Sequence, residues 1–210
     1  MKIFNFVILT ILFILVIATQ ANATCRTIPI TYYTYDPYPN GNPRTCNMSI
    51  TYCYDCSPTG MSFSIGIQSI HNPCGIPINS DFEEQANTAM LVDYLNQPGC
   101  CIVPCDYNGL TERTVDIQLV KCWKHVHQLN DPPTTYDIVQ CQSTAECISV
   151  YKVCVYFDQT GAHLNKIFQS KFSWPGVNCP LLQEPLTPPN GVDPNGVWET
   201  ECFMFPWYCQ

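Results

Sequence analysis

The chain has 210 residues, with 15 Cys, 18 Pro, 46% hydrophobic and only 12% charged residues, and a net charge of −8. Such a composition supports a packed core and argues against intrinsic disorder. With basic residues scattered singly in an acidic whole, it also argues against nucleic acid or an anionic membrane as partner.

Residues 1–23 have the order of an export signal: Lys2, an apolar run from Ile3 to Ala18, and the small-x-small site Ala21-Asn22-Ala23. Cleavage after Ala23 is expected, with an uncleaved anchor as the alternative. No later apolar run is long enough to cross a bilayer as a helix, so no membrane span is expected after signal cleavage. The division that follows is a signal peptide at 1–23, a disulfide-stapled β domain at 24–179, and a Pro-rich C-terminal tail at 180–210 pinned back by cysteine.

All 15 Cys lie beyond the signal, a density that belongs to disulfide scaffolds of oxidising compartments. Cys46, Cys53, Cys56, Cys74, Cys100, Cys101, Cys105, Cys122, Cys141, Cys147, Cys154, Cys179, Cys202 and Cys209 are the disulfide candidates. Because the count is odd, at least one thiol is left unpaired or bonded to another chain, and Cys25 and Cys209 near the two ends of the mature chain are the candidates, Cys25 foremost. Cys53-Tyr54-Asp55-Cys56 has redox or zinc spacing, but a strand leads into it and Ser57-Pro58-Thr59-Gly60 turns out of it, which favours a structural bridge.

In chain order, 27–35 is an edge strand, since Pro29 cannot donate to a ladder. The alternation of 47–54 and 61–67 predicts a hairpin through Asp55 to Gly60. Asn47-Met48-Ser49 is a candidate N-glycosylation sequon whose Asn falls on the polar face of its strand. A helix is predicted from Ser80, with Ser80 and Glu83 as a capping box, Glu83 and Glu84 matched to its dipole, and Phe82, Ala86, Ala89, Met90, Tyr94 and Leu95 on one face. Further strand patterns cover 114–119, 147–157 and 166–174, the last two joined by a turn at Asp158 to Ala162. The fold class is therefore mainly β: an antiparallel β-sandwich or barrel with one covering helix, stapled by disulfides.

His125 and His127, at i and i+2 on a strand, point the same way and form a candidate metal pair that needs a third ligand. Tyr32, Tyr33, Tyr35 and Tyr38 form a candidate ligand-binding cluster, since amphipathic aromatics serve glycan and protein recognition. No catalytic motif is recognisable, so no catalytic residue and no cofactor is assigned. The expected function is a secreted or cell-surface structural or adhesive protein, with itself as partner through an edge strand such as 27–35. The alternatives are a secreted module that binds glycans or another surface protein, and a metal- or thiol-dependent secreted enzyme using His125, His127 and a free Cys.

Overall fold

The computed structural model describes residues 24–35, 43–56, 62–97, 104–105, 112–141, 146–173, 179–205 and 209. The expected signal, Tyr38, Cys100 and Cys101 lie outside them, as does the side chain of Cys56.

Alternation of apolar and polar side chains sets most of the described chain in strands. These are β1 (Thr24–Tyr35), β2 (Pro43–Cys56), β3 (Ser62–Asn72), β4 (Arg113–Val120), β5 (Trp123–His127), β6 (Tyr136–Gln140), β7 (Glu146–Asp158), β8 (Gly161–Ser173) and β9 (Trp198–Glu199), with one helix, α1 (Ser80–Leu95), between β3 and β4. The protein is thus mainly β, with a single helix among the described residues.

The strands form one mixed sheet organised by β3. One edge of β3 pairs with β2, and β2 with β1, both antiparallel. Its other edge is divided: Ser62 to Gly66 run parallel to β4, and Ser69 to Asn72 run antiparallel to β6. Two arms therefore leave the same strand, β4-β7-β8 and β6-β5-β9. Every other pairing among the described strands is antiparallel, so there the expected antiparallel order fails only at β3 and β4. A parallel pair needs a long crossover, and α1 lies in that connection. The sheet does not close on itself.

Helix α1 covers the inner face, where Ile28, Ile30 and Tyr32 of β1, Met48, Ile50 and Tyr52 of β2, and Val115 and Ile117 of β4 meet Phe82, Ala86, Met90 and Tyr94. Its cap is Asn79, one residue before the predicted start: Asn79 Oδ1 accepts from the backbone N–H of Asp81 at 2.9 Å and of Phe82 at 3.4 Å. The buried face also differs from the predicted one. Glu83, Asn87 and Leu91 are buried, whereas Ala89 is only partly so.

Six disulfides join described residues: Cys25–Cys53, Cys46–Cys74, Cys105–Cys154, Cys122–Cys179, Cys141–Cys202 and Cys147–Cys209. They fit an oxidising, extracellular environment. Neither Cys25 nor Cys209 is the odd thiol, since each is bridged. The β1–β2 register sets Cys25 directly opposite Cys53, which also turns Cys53 away from a local bridge to Cys56. Cys179, Cys202 and Cys209 bond the C-terminal segment to Cys122, Cys141 and Cys147 of the strand region. Paired backbone bonds between Trp123 and Phe203, at 2.9 and 2.8 Å, hold that segment at the base of β5.

Gly75 follows β3 at φ +58°, and a Cβ there would stand 2.7 Å from the Thr134 carbonyl oxygen. Only glycine fits both the backbone conformation and the approach. Gly75→Ala is expected to lower stability by about 1–3 kcal/mol in denaturant titration with disulfides intact, whereas a change below about 0.5 kcal/mol contradicts the packing seen there. The bridges also make a chemical prediction. Alkylation of the denatured, unreduced protein should label cysteine only among Cys56, Cys100 and Cys101, and label on Cys25 or Cys53 in peptide mapping would refute the pairing.

Candidate functional site

Strands β5, β6 and β9 bring the two candidate metal ligands onto one buried face. His125 and His127 are both fully buried on alternate positions of β5. The ring of His127 stacks on Trp198 at 5.2 Å and 8°. Its Nδ1 lies 2.7 Å from the Gly196 carbonyl oxygen and its Nε2 3.2 Å from that of Pro132. Both nitrogens therefore face backbone acceptors, and the directions from which a metal would approach are taken. His125 packs against Tyr136 and Phe203, with ring centroids 4.5 and 4.7 Å away. Its Nε2 stands 3.1 Å from Glu184 Oε1, at ion-pair distance but without hydrogen-bond geometry. Burial, then the charge of Glu184, holds the Tyr136 hydroxyl above the usual phenol range.

The other two histidines lie elsewhere, His71 beside Asp137 at 2.6 Å and His163 beside Asp158 at 2.9 Å. Among the described residues no group of three or more His, Cys, Asp or Glu is placed to hold a metal ion. No helix among them is long and apolar enough to cross a membrane.

The tyrosine cluster divides by the pleat of β1. Tyr32 is a core residue, edge-on to Phe82 at 5.3 Å, with its hydroxyl donating to Asn79 Oδ1 at 2.8 Å. Burial raises its pKa, which keeps the phenol a donor. Tyr33 and Tyr35 face outward and are 61% and 72% exposed. The backbone at Tyr33 is engaged: its N–H donates to Gln85 Oε1 and its carbonyl accepts from Gln85 Nε2, both at 3.0 Å. A helix side chain thus occupies the position that a further strand would take on β1, and Pro29 removes another donor.

The opposite edge is built differently. Among the described residues β8 pairs with β7 alone, contains no proline and has no buried residue. The β7–β8 hairpin exposes apolar side chains on both faces, with Phe157 70%, Phe168 55%, Ile167 44% and Tyr156 47% exposed. A groove of about 270 Å³ between this hairpin and the last turns of α1, lined by Val92, Leu95, Val155, Phe157 and Leu164, extends the apolar surface.

Edge lysines ordinarily discourage strand pairing. Here both lysines of β8 are drawn across onto α1. Lys171 meets Glu83 at 2.9 Å, and Lys166 meets Glu84 at 2.5 Å and the Thr88 hydroxyl at 2.6 Å. Ser149 on β7 also donates to the buried Glu83, at 3.3 Å. Glu83 lies in the first turn of α1, as its match to the helix dipole implies, and Glu83 and Glu84 also anchor β8.

At the hairpin tip, the Thr160 hydroxyl and backbone N–H lie 2.6 and 2.7 Å from Asp158 Oδ1. These bonds, with a smaller effect of His163, lower the Asp158 pKa to about 2. His163 meets Asp158 and Thr160 through the same ring nitrogen, so the three do not form a nucleophile-base-acid relay.

Comparison of the chain with family models, with curated proteins and with solved structures finds no match. The outward β7–β8 surface carried no motif in the sequence. Its signal lay in Tyr156 and Ile167, apolar residues that alternate with a core face already filled on β7, while Phe168 lies on the side of Tyr151 and is still 55% exposed.

The depressed Asp158 pKa fixes a sign. The turn is stabilised above the ordinary carboxylate pKa and loses that support as pH falls through about 2. Carboxyl chemical shifts should titrate Asp158 near that value, with the Thr160 amide moving alongside. A midpoint at the ordinary aspartate value of 3.8 would contradict the turn bonds.

Proposed function

We propose that this chain is an extracellular structural or adhesive protein, exported by residues 1–23, that associates with copies of itself through the outer edge of β8. The supporting observation is the contrast between the two edges. The β1 edge is occupied at Tyr33 by Gln85 and interrupted at Pro29, while the β8 edge has its lysines tied to α1 and exposes Ile167 and Phe168. An edge of that kind pairs with another strand through main-chain bonds, and neighbouring apolar side chains add area to the contact. A second copy supplies a strand of matching pattern, which makes association isologous. The edge strand expected from the sequence, 27–35, is the less suited of the two.

Light scattering across a concentration series tests this reading. Wild-type protein should show a mass that rises with concentration. Ile167→Lys should weaken association by about tenfold, because it sets charge at the shared edge. Thr31→Lys on β1 should leave it unchanged. A strict monomer up to about 1 mM, or loss of association in Thr31→Lys but not in Ile167→Lys, overturns the proposal.

A second reading is glycan recognition by Tyr33 and Tyr35, favoured by their outward exposure. A glycan array with hits lost on Tyr33→Ala and Tyr35→Ala would support it. Absence of hits would leave self-association as the remaining reading.

A further inference from the structure

We infer that Asn47 is the acceptor of an N-linked glycan. The sequon Asn47-Met48-Ser49 lies in β2, where Cys46 and Met48 turn inward and Asn47 is exposed on the face away from α1. Opposite it on β1 stands Thr31, whose hydroxyl donates to Asn47 Oδ1 at 3.2 Å. That bond fixes the amide with its oxygen toward β1. Among the described residues Nδ2, the atom that would carry the sugar, has no hydrogen-bond partner.

The surface around Asn47 points to the same conclusion. Thr27, Thr31, Thr45, Ser49 and Thr51 share the outward side of β1 and β2, with the Thr27 and Thr51 hydroxyls 2.8 Å apart. None of these side chains is charged. A polar, uncharged face of this kind, open to solvent, is where an N-linked sugar is accommodated. The sugar would also shield the β1 side of the sheet, at the other end from β8.

The chemistry is a glycosyl transfer from a lipid-diphosphate-linked oligosaccharide, the donor class of the secretory pathway. Asn47 Nδ2 attacks the anomeric carbon, so that a C–N bond forms and the C–O bond to phosphate breaks. The lipid diphosphate leaves with the electron pair, the amide proton passes to a base of the transferase, and nothing is oxidised or reduced. The sequon is available early, since the partner of the adjacent Cys46 is Cys74, 28 residues further along the chain.

The test is intact mass of the full chain expressed in a eukaryotic secretory host, read on cell-retained and secreted protein alike, before and after peptide N-glycosidase. Wild-type protein should lose a glycan mass on digestion, with Asn47 converted to Asp. Asn47→Gln and Ser49→Ala should show no such loss, while Ser49→Thr, which preserves the sequon, should retain it. An unmodified wild-type mass overturns the inference, as does a mass loss that persists in both Asn47→Gln and Ser49→Ala. Neither outcome bears on β8, whose role is read from association.

Discussion

One helix ties β1 and β8, two of the outer strands of the sheet, and it does so with charges set at separate points along its length. Near its start, the buried Glu83 carboxylate takes Lys171 from β8 and the Ser149 hydroxyl from β7. Near its end, Asp93 accepts from Arg26 of β1 at 2.9 Å and from the Tyr52 hydroxyl of β2 at 2.6 Å. Burial and the Asp93 carboxylate raise the Tyr52 pKa, so the phenol remains a donor. The apolar face of α1 supplies the burial energy, but hydrophobic contact is non-directional. The ionic contacts specify which strands flank the helix, and a carboxylate buried like Glu83 tolerates no loss of partner without a penalty of about 3–5 kcal/mol.

This clamp has opposite consequences at the two outer strands. On β1 the helix approaches closely enough for Gln85 to pair with the Tyr33 backbone, so the edge is occupied at that residue from within. On β8 it withdraws Lys166 and Lys171 from the rim and leaves apolar side chains there. The six disulfides secure the rest: β1 to β2, β2 to the turn after β3, Cys105 to β7, and the C-terminal segment to three positions between Cys122 and Cys147. A scaffold stapled in this way loses little further conformational entropy when an edge strand accepts a partner.

Much of the local structure was legible because a half-buried strand writes its pleat into the sequence. The alternation at 27–35, 114–119 and 147–157 falls within β1, β4 and β7, and the turn at Asp158 lies where β7 hands over to β8. Longer-range features were not legible. The parallel β3–β4 pair depends on where the crossover helix docks, which no local period encodes. Asn79 displaces Ser80 as the cap because both residue types cap well and only the backbone decides between them. Burial of Glu83 follows from polar partners on β7 and β8 that are more than sixty residues away in sequence. The i, i+2 spacing of His125 and His127 correctly implies one face, but it cannot reveal that the Pro132 and Gly196 carbonyls face the His127 ring. Cys25 looked unpaired only because register, not proximity to a terminus, decides bridging.

The central claim is that β8, with its lysines held on α1, is the strand through which copies of this chain meet. Residue-resolved amide hydrogen exchange at low and high protein concentration measures this directly. The account predicts that alternate amides of β8 before Gln169 gain protection as concentration rises, while those of β1 do not change. Protection gained along β1 instead, or along neither strand in protein that has become heavier, would contradict it.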